Sequence, residues 1–273
     1  LQRNNCHRNY LQLVWFSMTW HQRPSICFLM LTDIIPFIRS TFFYLGYYVV
    51  TIFTSLLFII LFPLLPERGR YIFSFCWCSF ILGWLRICCG VRYQVIGKDK
   101  LPSDPHVIIA NHQSEWETIY FYKLVFPVSP ILKQELLKIP FWGWAMKLQK
   151  PIAIDRSKPR EAGKSLMTQG VARLKEGRRI FVFPEGTRSK YGSIKRFSRG
   201  GAKLAIAAGV PVVPIAHNAG YCWPPKQYIK RSGLITVVIG DSVPTVGARA
   251  DELTDDLEGW IRQTVDSLEV PKN

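Results

Sequence analysis

Two residues in the stretch HVIIANHQSEWE, at 106–117, have the types and the spacing for proton chemistry: His112 and, five positions on, Glu117. A neutral imidazole, with a reference pKa of about 6.5, accepts a proton from an alcohol, and a carboxylate on its other ring nitrogen fixes the tautomer and stabilises the imidazolium that forms. That is a base with a partner, but no obvious nucleophile stands beside it. Residues five apart on a continuous helix point about 140° away from one another, so a working dyad needs a break between the two. The apolar, β-branched run 106–110 reads as a buried parallel strand, with Asn111 and His112 at its carboxyl end and a helix expected over 116–124. Ligand crevices of open α/β sheets form at such strand ends. A plainer account of the same residues is that Ser114 caps the helix and Glu117 completes an S-x-x-E capping box.

Three further strand ends carry polar clusters. IAIDRS puts Asp155 and Arg156 beyond a strand expected at 151–154, and FPEGTRS puts Glu185, Gly186, Thr187 and Arg188 in a glycine turn after one at 180–183. Arginine's planar fork suits bidentate phosphate contact, and Gly186 lets backbone amides approach an anion closely. Glu185 alone would repel a phosphate, so it is read as orienting a cation or accepting a substrate hydroxyl. Taken singly, either cluster also fits a surface turn with an ordinary ion pair. In VPVVPIAHNAG, Pro211 and Pro214 restrict the strand and His217 ends it without an acidic neighbour, which favours a structural histidine and leaves His112 as the base. From Gly186 to Gly240 the 55 residues hold nine Lys or Arg and no Asp or Glu. A solvated surface normally mixes signs. The run suits an anionic lipid face or a phosphorylated ligand, and no nucleic-acid-binding signature accompanies it.

These clusters must be positioned by the rest of the chain. At 273 residues, 48% hydrophobic and a net charge of +16, it can bury a full core and favours an anionic partner. Residues 42–65 are 24 uncharged positions, long enough to span a hydrocarbon layer of about 30 Å, and read as a membrane anchor. A second apolar stretch, 71–91, is interrupted by Arg86, which leaves a spanning hairpin and a shallow one-leaflet hairpin both open. Residues 1–29 lack periodicity and are expected to be a non-native or disordered leader, with Met30 as the start. The anchor then occupies 30–91 and a catalytic domain 92–273. Further strands are expected at 93–96, 130–132, 210–215 and 235–239, and further helices at 161–176, 201–208 and 251–268. The alternation defines an α/β fold: a mixed, mostly parallel sheet flanked by helices and preceded by an N-terminal hydrophobic membrane hairpin. Seven cysteines, four of them in one apolar stretch, indicate neither a disulfide framework nor a zinc site. No G-x-S-x-G elbow, P-loop, H-E-x-x-H or dinucleotide glycine pattern is present, which argues against a covalent serine hydrolase, a nucleotide-driven enzyme and a zinc hydrolase.

The four clusters in this order behind an apolar anchor closely resemble the 1-acyl-sn-glycerol-3-phosphate (lysophosphatidic acid) acyltransferases of the glycerolipid acyltransferase family. NHQSEWE matches the family's NHxxxxE/D block, IAIDR the second, FPEGTRS the third and VPVVPI the fourth, across roughly residues 92–240. The resemblance implies transfer of a fatty acyl group from acyl-coenzyme A or acyl carrier protein to the free hydroxyl of a lysophospholipid, with no acyl-enzyme intermediate, no cofactor and no metal. It makes His112 the general base and Glu117 its partner. It places Arg156, Glu185, Gly186, Thr187 and Arg188 on the glycerol phosphate, with Lys133 of ILKQEL as a further phosphate ligand and Pro214 shaping the site. Membrane phospholipids, lysophosphatidic acid and the acyl donor are the expected partners, and the cytosolic face of the cytoplasmic membrane is the expected location. Rival readings keep the chemistry but change the acceptor to another lysolipid or glycerol 3-phosphate, or make the chain a non-catalytic, membrane-tethered basic module.

Overall fold

The computed structural model describes residues 26–268 and 270, with side chains from residue 34. The leader expected at 1–29 falls, up to residue 25, outside the described residues. Helix α1 (Ile26–Leu61) runs unbroken through position 30 and packs antiparallel on α2 (Glu67–Cys89). The hairpin bounds differ from the apolar runs in the sequence for local reasons. Pro63 has no N–H to extend α1, which stops at Leu61, and Gly90, at φ 70°, takes the left-handed turn that ends α2. At the other end α1 continues through the charged Arg39, whose Nε donates to the Cys88 carbonyl at 2.6 Å, satisfying one of the orphan acceptors at the end of α2.

All seven expected strands are present: β1 (Val91–Ile96), β2 (Val107–Ala110), β3 (Val128–Lys133), β4 (Ile152–Ile154), β5 (Arg179–Val182), β6 (Val212–His217) and β7 (Gly233–Ile239). They form one sheet in the order β1-β7-β6-β2-β5-β3-β4. Every neighbouring pair is parallel except β6 and β7. The all-apolar VIIA of β2 fits its central place, because helices cover both faces and all four residues are buried. Alternation along β2 divides the core: Ile108 and Ala110 join the layer under α1, α2 and α3 (Trp116–Leu124), while Val107 and Ile109 join the layer under α5 (Pro159–Lys175), α6 (Gly200–Ala208) and α8 (Ala250–Ser267). Helix α8 buries Leu253, Leu257, Ile261 and Val265, a four-residue repeat that makes one apolar stripe, and leaves its charged side to solvent.

Two short helices, α4 (Trp142–Leu148) and α7 (Ala219–Cys222), are not apparent from the sequence. A glycine within the aromatic WGWAMKL run hides the first, and the second is a single turn.

The hairpin is fastened to the sheet layer at both ends. Phe43 is fully buried edge-on against Trp223 at 5.1 Å, the Ser40 hydroxyl accepts the Lys230 backbone N–H at 2.8 Å, and the Tyr71 hydroxyl donates to the Val125 carbonyl at 2.7 Å. Arg178, just before β5, is buried and donates to Ser129 Oγ (2.7 Å), the Val128 carbonyl (2.8 Å) and Glu67 of α2 (3.0 Å). The opposite side of the hairpin bears exposed Phe42, Leu45, Val49, Phe53 and Ile60 on α1, with Ile72 and Ile87 on α2. Ile34–Leu61 and Glu67–Cys89 are both long and apolar enough to cross a membrane.

Candidate active site

The strand-to-helix break after β2 folds Glu117 back onto His112. Nδ1 of His112 lies 2.8 Å from Glu117 Oε1, and the same oxygen accepts the backbone N–H groups of Gln113 (2.9 Å) and Ser114 (2.8 Å). Ser114 Oγ in turn accepts the Trp116 N–H at 3.0 Å. The capping arrangement and the dyad are therefore one structure, since a single carboxylate oxygen serves both. Burial alone pushes the Glu117 carboxyl up, but the imidazoles of His217 and His112 and the Ser114 amide together hold it below the ordinary range. An ionised carboxylate only accepts, so Nδ1 of His112 carries the hydrogen and Nε2 is left as the base. The ring is also stacked on Phe183, with centroids 4.1 Å apart and planes within 10°. His112 keeps only 8% of its surface.

Glu185 fixes His112 from the backbone side. Its Oε1 accepts the His112 N–H at 2.7 Å, and its Oε2 accepts the Lys195 N–H at 2.9 Å together with the Ser189 hydroxyl. The Ser189 N–H returns to the His112 carbonyl at 2.7 Å. Glu185 is thus buried and engaged with three donors of the protein, a cross-link between the β2 and β5 ends that sequence reasoning did not anticipate. The backbone amides that follow His112 also prove to be occupied, because both are spent on Glu117. They are not free to stabilise an oxyanion.

Asn111 and His217 lock the ends of β2 and β6 to each other. Asn111 Nδ2 donates to the His217 carbonyl (2.9 Å), Asn111 Oδ1 accepts the His217 N–H (3.1 Å), and His217 Nε2 meets the Asn111 carbonyl (2.8 Å). His217 is fully buried, and burial pushes its imidazole below the ordinary value. Its ring is part of the lock between the two strand ends through the bond to the Asn111 carbonyl.

The basic residues reach the same strand-end rim from β4 and β5. Arg156 Nη1 donates to the Gly186 carbonyl at 2.5 Å, in a turn that Gly186 makes at φ 71°. Burial lowers the Arg156 pKa, and the nearby charge of Arg188 lowers it further. Arg188 Nη1 pairs with Glu115 Oε1 at 2.6 Å, and Lys195 Nζ donates to Thr187 Oγ1 at 2.6 Å. Lys133 stands at the end of β3 opposite Ile154 and pairs with Glu135 at 3.2 Å.

Pro214 is not brought to this rim. It is buried within β6 opposite Ile109, its carbonyl accepts the Gly240 N–H at 2.9 Å, and a Cβ on Gly240 would touch both its ring and Trp260 of α8. Glu115, Phe183 and Ser189 were missed as site neighbours, since each joins the site through a contact between strands or loops far apart in sequence.

A histidine–carboxylate dyad with two arginines at the carboxyl edge of a helix-covered α/β sheet is consistent with the acyltransferase class that the motif resemblance implies, and comparison with known proteins bears on that class directly. The Acyltransferase family model matches residues 92–218. A 1-acyl-sn-glycerol-3-phosphate acyltransferase of Pseudomonas aeruginosa is 47% identical over 207 residues, covering 74% of this chain and 80% of the relative. The alpha form from Homo sapiens is 33% identical over 197 residues, covering 70% and 69%. Among solved structures, the 1-acyl-sn-glycerophosphate acyltransferase PlsC from Thermotoga maritima aligns with a TM-score of 0.76 over 88% of this chain and 99% of that one, at 23% identity, and so shares the fold. The chain belongs to the 1-acyl-sn-glycerol-3-phosphate acyltransferase family.

Proposed function

We propose that this chain transfers a fatty acyl group from the thioester of acyl-coenzyme A or acyl carrier protein to the sn-2 hydroxyl of lysophosphatidic acid, giving phosphatidic acid for phospholipid biosynthesis. One observation carries the reading: the His112–Glu117 dyad, closed at 2.8 Å, shares its strand-end rim with Arg156, bonded to the Gly186 carbonyl, and Arg188, bonded to Glu115. A base and a phosphate anchor are what the acceptor needs. A thioester is already activated, so no cofactor and no metal are invoked.

In this mechanism His112 Nε2 takes the proton of the acceptor hydroxyl as its oxygen attacks the thioester carbonyl. Glu117 holds Nδ1–H and stabilises the imidazolium. The tetrahedral intermediate collapses with cleavage of the C–S bond, and the departing sulfur takes the proton from Nε2. Arg156 and Arg188 hold the phosphate, with Lys133 at the edge of the same rim. Gly186 and Thr187 shape the loop that carries Arg188, and Glu185 keeps His112 in register from behind. Pro214 stiffens β6 at a distance from the chemistry. The bare apolar side of the hairpin supports insertion in the bilayer, with the acyl tail of the acceptor remaining in lipid. Cytosolic acyl donors and free thiols favour the cytosolic face of the cytoplasmic membrane.

The test is acyl transfer by detergent-purified protein, with labelled acyl-coenzyme A or acyl carrier protein and a panel of lysophospholipids and glycerol 3-phosphate. Labelling selective for lysophosphatidic acid, abolished in His112→Ala and with a raised KM for that acceptor in Arg188→Ala, is the expected result. Transfer to another acceptor overturns the substrate assignment. Full activity in His112→Ala overturns the base.

A further inference from the structure

Arg188, read above as a phosphate ligand, is already paired. Its Nη1 donates to Glu115 Oε1 at 2.6 Å, with 34% of the arginine side chain and 38% of the glutamate exposed. The partner comes from a different element. No Asp or Glu occurs between Gly186 and Gly240, so the counter-charge for Arg188 is supplied by the residue immediately before α3, three positions from the catalytic base. Glu115 is well placed to hold and to release. Its backbone is helical, and its carbonyl accepts the Thr118 hydroxyl at 2.6 Å and the Ile119 N–H at 3.3 Å, which fixes the main chain while the carboxylate remains at the solvent edge. Arg156 differs, because its Nη1 is tied to the Gly186 carbonyl at 2.5 Å rather than to a carboxylate.

We propose that Glu115 is an acidic latch on Arg188: its carboxylate takes the place of the acceptor's phosphate while the site is empty, yields to the phosphate on binding, and retakes Arg188 as the product leaves. The inference rests on the reading of Arg188 as a phosphate ligand. The exchange follows from charge. A phosphate monoester carries about −1.5 to −2 near neutral pH and offers three acceptor oxygens to two guanidiniums, whereas Glu115 offers one negative charge to one of them. A partly exposed ion pair is weak enough to be displaced, by a factor of about two to five in binding. An acceptor without a phosphate offers nothing that opens the pair. Substrate and product share the phosphate, so the latch weakens both equally, trading acceptor affinity for release of phosphatidic acid. Glu115 thus acts through Arg188 as a positioning residue and touches no reacting atom.

The opposite role, in which Glu115 stays bound and braces Arg188 for the phosphate, gives the opposite sign and makes the test decisive. With the full chain in detergent micelles and acyl-coenzyme A as donor, Glu115→Gln should lower the KM for lysophosphatidic acid about two- to fivefold. The inhibition constant for added phosphatidic acid should fall in parallel, and so should that for inorganic phosphate as competitor. Kinetics with a phosphate-free monoacylglycerol should not move. Glu115→Asp, which keeps the charge, should restore values toward wild type, and Glu115→Gln should add nothing in an Arg188→Ala background. A rise in the KM for lysophosphatidic acid in Glu115→Gln overturns the latch in favour of the brace. If Arg188→Ala raises KM but Glu115→Gln moves neither KM nor the phosphate inhibition constant, the latch fails alone and the phosphate reading stands. If Arg188→Ala leaves KM unmoved, the phosphate reading fails and the latch with it.

Discussion

Replacing Glu117 by glutamine isolates the charge of the dyad from its geometry. Oε1 accepts His112 Nδ1–H, Gln113 N–H and Ser114 N–H at 2.8, 2.9 and 2.8 Å, and an amide oxygen in the same position accepts the same three. The amide nitrogen then replaces Oε2, which accepts no hydrogen bond, so no bond is lost. What disappears is the attraction between carboxylate and imidazolium, about 4 kcal/mol for charge centres ~4 Å apart at an effective dielectric constant of ~20. If most of that charge has formed on His112 in the transition state, kcat should fall by about two to three decades with little change in KM. Single-turnover acyl transfer measures this. The double variant His112→Ala/Glu117→Gln should be no slower than His112→Ala, because the carboxylate acts only through the ring. A loss of less than about tenfold in a folded Glu117→Gln protein, or losses that multiply in the double variant, would refute the reasoning and leave Glu117 as a helix cap. Stability supplies an internal control. The folded-state pKa of Glu117 lies below its ordinary 4.5, so the stabilisation it contributes is full above pH 4.5 and is lost as pH falls through the folded value. The gap in stability between wild type and Glu117→Gln should narrow as pH falls below about 4.5.

Three other perturbations follow from buried groups. Glu185→Gln sets an amide donor against either the His112 N–H or the Lys195 N–H, which should cost about 2–3 kcal/mol in thermal or denaturant unfolding and lower kcat; an unchanged midpoint would show that the carboxylate is dispensable to the β2–β5 cross-link. Arg178→Met leaves the buried Val128 carbonyl and Ser129 hydroxyl without their donor and should destabilise by about 3 kcal/mol, whereas a change below about 1 kcal/mol would mean that the hairpin does not depend on this anchor. Burial lowers the Lys230 ammonium from 10.5 to about 8, and its Nζ donates to the carbonyls of Gln227 (2.6 Å) and Tyr228 (2.8 Å). Between those pH values the unfolded chain binds more protons, so wild-type stability should rise relative to Lys230→Met from pH 8 to 10.5, by up to about 3 kcal/mol, and parallel pH profiles would contradict the shift.

The parts of this molecule legible in its sequence are those encoded by neighbours along the chain. Strand β2 is a short β-branched run, α8 repeats an apolar residue every four positions, and the NHQSEWE letters contain both the cap and the dyad, so period and composition suffice. What stayed hidden depends on which strand lies beside which. Glu185 looked like a substrate ligand because its partners are 73 residues upstream at His112 and 10 downstream at Lys195, and only the β6-β2-β5 order puts the ends of β2 and β5 side by side. Pro214 looked like part of the site because its block ends at His217, yet it lies within β6 packed toward α8. Arg188 fitted an ordinary ion pair within its own FPEGTRS turn, yet its carboxylate partner is Glu115, 73 residues upstream. In each case the partner lies beyond the reach of the local sequence. The identity of a charged residue is local information, whereas the group that neutralises it is a property of sheet order. For this site that difference sorts the carboxylates: Glu117 and Glu185 both hold His112, whereas Glu115 pairs with Arg188.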